Sequence, residues 1–115
     1  MEKIRDIIFY KTYFKEFYIQ LDENARTKIN YVLKLIQTQE RIPIKFFKFI
    51  EGSKGLYEIR VKVETNIYRV FCCYDKGSIV VLFNGFVKKT QKTPKSEIEK
   101  AEAIMKEYFE NKKEG

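Results

Sequence analysis

The chain has 115 residues, of which 44% are hydrophobic, a formal charge of +7 and no histidine. Its length suits a single domain over residues 1–115, burying about two thirds of its unfolded surface without covalent staples. The missing histidine excludes a Ser-His-Asp triad, a Cys-His dyad and most catalytic zinc sites.

In chain order, Met1-Glu2-Lys3-Ile4-Arg5-Asp6 is charged and leads into no apolar h-region, so no signal peptide is expected. The apolar runs fall far short of the ~20 residues of a bilayer span, so no membrane contact is expected. Ile4–Phe9 reads as a first strand. Tyr13–Tyr18 has aromatic residues at helical spacing and reads as a short helix. Asp22 can cap a second helix, whose apolar positions are Ala25, Ile29, Val32, Leu33 and Ile36. Pro43 ends any continuation. Ile44–Ile50 is aromatic and basic and reads as a short strand or extended turn.

Three strand-like runs follow. In Leu56–Val63, Tyr57, Ile59, Val61 and Val63 share one face, and Leu56, Glu58, Arg60 and Lys62 share the other. Thr65-Asn66 reads as a tight turn with Asn66 at positive φ, leading into Ile67–Tyr74. Asp75-Lys76-Gly77 reads as a hairpin loop before Ile79–Val87, whose apolar core suits a central strand covered on both faces. Cys72 and Cys73 are adjacent and form no disulfide framework, which fits a reducing cytoplasm; alternation puts one in the core and one at the surface. Thr93 reads as the N-cap of a last helix with Pro94 as its first residue and Ile98, Ala101, Met105 and Tyr108 on its apolar face. The order β-α-α-β-β-β-β-α predicts an α+β fold: two N-terminal helices on a mostly antiparallel sheet of four or five strands, plus a C-terminal helix.

The charge is concentrated. Residues 1–40 carry a net +1, residues 41–95 a net +8 and residues 96–115 a net −2. This asymmetry points to an anionic partner held by the central segment. The informative constellation is Arg60, Arg69 and Lys88-Lys89-Thr90-Gln91-Lys92-Thr93. Guanidinium binds phosphate bidentately and stays charged. If Arg69 shares the polar face with Arg60, these arginines converge with Lys88, Lys89 and Lys92, and Lys62 lies on the same strand face as Arg60. Tyr57, Tyr68, Phe83 and Phe86 would lie nearby for base stacking, which is the chemistry of single-stranded RNA binding. The structural alternative is an ion pair from Arg69 to Glu58 or Glu64 across the hairpin, with the lysine run a solvated loop.

The stretches Leu56-Tyr57-Glu58-Ile59-Arg60, Ile67-Tyr68-Arg69-Val70-Phe71 and Gly85-Phe86-Val87-Lys88-Lys89-Thr90-Gln91-Lys92-Thr93-Pro94 resemble the phage-derived HigB-like branch of the RelE/ParE toxin superfamily. The resemblance implies a RelE-like microbial RNase fold and a type II toxin–antitoxin toxin that cleaves mRNA on the ribosome without a metal or cofactor. It implies a helix-turn-helix antitoxin as partner, with operator DNA reached only through that antitoxin. It matches the family's strand arginines to Arg60 and Arg69 and its following basic residues to Lys88, Lys89 and Lys92. Arg69, Arg60 and Lys88 are the expected catalytic residues, and Lys62, Lys89, Lys92 and Tyr68 the expected RNA contacts. The general acid and base stay unassigned, because some relatives use a histidine or a late tyrosine. This chain has no histidine, and its Tyr108 falls on an apolar helix face. A ParE-like gyrase poison and a non-catalytic RNA-binding module are the alternative functions.

Overall fold

The computed structural model describes residues 2–89 and 92–114. In these residues the chain forms β1 (Asp6–Phe9), α1 (Tyr13–Tyr18), α2 (Glu23–Thr38), β2 (Phe47–Phe49), β3 (Tyr57–Val63), β4 (Asn66–Asp75), β5 (Ile79–Lys88) and α3 (Lys95–Glu114). The strands make one sheet in the order β1-β5-β4-β3-β2, antiparallel except for the parallel pairing of β1 with β5. This is the expected α+β architecture, and it is consistent with a RelE-like fold.

Each end of α2 is closed by a side chain. Asp22 Oδ1 accepts from the Ala25 amide at 2.9 Å, satisfying one of the orphan donors of the first turn. At the other end the Arg5 guanidinium donates to the carbonyls of Ile36, Gln39 and Glu40 at 3.0, 2.6 and 2.9 Å. A cation there satisfies orphan acceptors and complements the helix dipole.

Alternation along the strands separates two cores. Ile59, Val61, Val70, Cys72, Val80 and Leu82 pack with α1 and α2 on one face. Leu56, Phe71, Cys73, Val81 and Phe83 pack with Ala101, Ile104, Met105 and Tyr108 of α3 on the other. Because both faces are covered at this level, Cys72 and Cys73 are both buried, and the expectation that one reaches the surface is corrected.

Two turn-level expectations are also corrected. Val63 pairs with Asn66, so the β3–β4 turn is Glu64-Thr65, and Glu64 takes the positive φ of 55°. Thr93 does not cap α3: its hydroxyl donates to Glu58 Oε2 at 3.1 Å, and the Pro94 carbonyl accepts from the Ile98 amide. The side chain that could have capped the helix ties its start to the sheet instead.

A β-bulge sets the far half of β5. Val70 pairs with Gly85 but Cys72 pairs with Leu82, so β5 holds one more residue than β4 between these points. An extra residue reverses the alternation beyond it. Gly85 therefore faces α1, where an added Cβ would come within 2.5 Å of the Phe17 ring. Phe86 and Lys88 turn to the α3 side.

The C-terminal half of α3 is held by polar contacts. Tyr108 Oη and Lys112 Nζ each donate to Asp75 Oδ2 at 2.5 Å. Glu107 accepts from Tyr10 Oη at 2.7 Å and from Lys11 Nζ at 2.5 Å. The helix thus covers the sheet toward the β4–β5 turn and leaves the half toward the β3–β4 turn open.

Candidate nucleic-acid interface

On that open half, the Glu64-Thr65 turn sets Arg60 directly opposite Arg69. Facing like charges repel. Glu58, two residues before Arg60 on the same face, lies between them: its Oε1 is 3.4 Å from Arg60 Nε and 3.6 Å from Arg69 Nε. The expected alternative of an Arg69–Glu58 ion pair is therefore realised, and Arg60 shares it. One carboxylate against two guanidinium groups leaves net positive charge.

The cluster is partly desolvated. Arg69 is buried, and one of its terminal nitrogens donates to the Tyr68 carbonyl at 3.2 Å. Burial lowers the Arg69 pKa from its ordinary value; the Glu58 carboxylate opposes this and the Arg60 charge adds to it. A guanidinium starts so high that it keeps its charge.

Lys88 pairs with Ile67 and, through the bulge, shares the face of Arg69. Burial lowers its pKa first, and repulsion from Arg69 lowers it further, with Glu58 pulling the other way. Arg60, Arg69, Lys88 and Lys89 line one cleft of about 700 Å³, together with Asn66 and Ile67. A second cleft of about 350 Å³ shares both arginines and adds Lys45, Phe46 and Lys62. The structure thus brings together Arg60, Arg69, Lys88, Lys89 and Lys62. Thr90 and Gln91 lie outside the described residues. Lys92 is exposed beside Thr93 and lines neither cleft.

Tyr68 is not part of this surface. It pairs with Val61, faces α1 and is buried, with its ring 6.5 Å from that of Phe17. Tyr57 lies on the same α1/α2 side, stacked on Phe47 at 4.9 Å, and Phe83 is fully buried beneath α3. Of the four expected aromatics, Phe86 alone stands on the basic face, opposite Arg69 and stacked on Phe71 at 5.6 Å.

Sequence reading missed Lys45 and Lys48. Lys48 pairs with Glu58 across β2 and β3, and Lys45 lies 4.9 Å from the Phe46 ring centroid. The basic and aromatic character of Ile44–Ile50 was the available signal. The cysteines supply no nucleophile, because burial pushes both thiols up, Cys73 to about 12. What remains is a fixed array of cations able to bind a phosphodiester and stabilise charge that develops on it.

Among the described residues no helix is long and apolar enough to cross a membrane. No curated protein matches the chain. The family model described as phage derived protein Gp49-like (DUF891) matches residues 16–106, a span that holds Glu58, Arg60, Arg69 and Lys88. That match covers most of the chain, which therefore belongs to the phage-derived Gp49-like family.

Proposed function

We propose that this protein is the toxin of a type II toxin–antitoxin system and that it cleaves mRNA on the ribosome. The observation that carries the reading is the facing pair Arg60 and Arg69 on the uncovered half of the sheet, with Lys88 on the same face. Membership of a family known as a toxin type supports the antitoxin partner. The concentration of positive charge on residues 41–95 supports a nucleic-acid substrate.

The chemistry follows from the cations. The ribose 2′-oxygen attacks the adjacent phosphorus, the bond to the 5′-oxygen breaks, and a 2′,3′-cyclic phosphate and a 5′-hydroxyl result. The pentavalent transition state gains negative charge on its non-bridging oxygens. Arg69 contacts the scissile phosphate, and Arg60 and Lys89 hold the flanking backbone. A well-aimed donor of this kind contributes about 3–4 kcal/mol to the transition state. Lys88 gives its proton to the departing 5′-oxygen; its lowered pKa makes it a better acid than an ordinary lysine. A group of the ribosome takes the proton of the 2′-hydroxyl.

The test is induction in growing cells, followed by transfer of purified protein to programmed ribosomes. Fragmented mRNA bearing cyclic-phosphate and 5′-hydroxyl ends is the expected result. Intact mRNA with a DNA-damage response would identify a gyrase poison and overturn the reading. Intact mRNA with RNA binding alone would identify a non-catalytic module.

A further inference from the structure

The two basic clefts continue into a third. The second cleft shares Lys28 and Lys62 with a cleft of about 510 Å³ between α2 and the end of β3. The α2 wall of this third cleft is Asn24, Thr27, Lys28 and Tyr31, at the i, i+3, i+4, i+7 spacing of one helix stripe. Among the described residues, no Asp or Glu lines any of the three clefts.

Sheet topology explains why the path is open. β2 pairs only with Tyr57–Ile59, so among the described residues the outer edge of β3 beyond Arg60 carries no neighbouring strand. A ligand can cross from Lys88 over β4 to Arg60, two strand spacings or about 10 Å. It can then round the free edge past Lys62 and reach α2. There Tyr31 is 52% exposed, and Lys28 Nζ lies 5.1 Å from its ring centroid. A half-exposed aromatic ring beside lysines, at the end of a cationic path, is a stacking platform for a base.

We infer that the single-stranded RNA substrate runs along this path, with phosphates at Arg60, Lys62 and Lys28 and a base stacked on Tyr31. The inference rests on the nuclease reading and adds to it a substrate-positioning site remote from the scissile phosphate. A single strand fits because the path bends around a strand edge, which a stiff duplex does not follow. Contacts at Lys28, Lys62 and Tyr31 hold the strand away from the scissile phosphate, so their loss raises KM more than it lowers kcat.

The experiment uses the full chain and two 2′-O-methyl oligouridylates, a trinucleotide and a decanucleotide, which bind without being cleaved. Fluorescence anisotropy reads affinity over a range of salt. Tyr31→Ala weakens the decanucleotide roughly tenfold and leaves the trinucleotide unchanged, while Tyr31→Phe retains parent affinity. The double variant Lys28→Ala/Lys62→Ala lowers the salt slope for the decanucleotide by about 1.4. Parent affinity and slope in these variants would overturn the inference. So would equal affinity for an RNA duplex, or loss of a protein partner with decanucleotide binding unchanged. The nuclease reading fails on a separate measurement, intact mRNA after induction, which the oligonucleotide series does not touch.

Discussion

Arg60 and Arg69 face each other across the β3–β4 ladder, and both guanidinium groups lean on the single buried carboxylate of Glu58. The pair is held close by a charge beneath it and offers its remaining positive charge to an anion from solvent.

Removing that carboxylate exposes the repulsion. Glu58 and Arg69 side chains are only 8% and 7% exposed, so solvent screens their pairing little. Glu58→Gln is expected to destabilise the fold by about 3 kcal/mol, the usual cost of leaving a buried charge without its partner. Sulfate should then restore more stability in the variant than in the parent, because it replaces the missing negative charge. Urea unfolding with and without sulfate checks both statements.

Arg69→Ala is expected to lower cleavage on programmed ribosomes by about 10²–10³-fold, the loss typical of one well-aimed charge donor. Arg69→Lys should recover little, because an ammonium lacks the planar fork that grips two phosphate oxygens. Both variants should keep the parent circular dichroism spectrum and still bind the antitoxin, since Glu58 keeps Arg60 as partner. Full toxicity of Arg69→Ala would remove this residue from the mechanism.

Lys88 carries two pH predictions with one sign. Its folded-state pKa is lowered, so the charged form is disfavoured on folding. The penalty is fully present at neutral pH and is relieved as pH rises through the folded pKa toward the unfolded value of about 10.4. Lys88→Met should therefore unfold at higher urea than the parent at pH 7, with the difference closing in alkali. The same lysine must be protonated to act as an acid, so single-turnover cleavage should fall on the alkaline side, earlier than an ordinary lysine would cause. That limb should vanish in Lys88→Arg, with a loss of about 10²-fold or more in rate.

Gly85 tests the bulge. Its missing Cβ would sit within 2.5 Å of the Phe17 ring, so Gly85→Ala is expected to cost about 1–3 kcal/mol through overpacking. Phe17→Leu in the Gly85→Ala background should recover part of this, and a double-mutant cycle by chemical denaturation gives the coupling. An additive pair would mean that the two residues do not press on each other.

Acid unfolding should report on Asp75. Hydrogen bonds from Lys112 and then Tyr108 hold its carboxyl below the ordinary value. Stability from a lowered carboxylate is present above the unfolded pKa of about 3.9 and is lost as pH falls through the folded one. Asp75→Asn is expected to cost about 1–2 kcal/mol at pH 7, and the gap should narrow below pH 4.

The amino-acid sequence alone determined the element order, the Asp22 cap and the face shared by Glu58 and Arg60, because helix and strand periods are local properties of the chain. It left a shared face for Arg60 and Arg69 conditional on the turn that joins their strands. A turn at Thr65-Asn66 would have set Arg69 opposite Lys62; the observed turn one residue earlier sets it opposite Arg60. Tertiary structure decided the rest. Simple alternation from Leu82 would point Phe86 and Lys88 at α1, and the bulge in β5 reverses them onto the arginine face. The loss of Tyr68 from the site has the same origin in facing, since its neighbour Arg69 takes the open side and α1 covers the other. The path toward Tyr31 depends on where β2 stops and where α2 lies, both fixed by packing between segments distant in the chain. No local pattern encodes such a juxtaposition, which forms only when the two faces of the sheet are covered by helices of different reach.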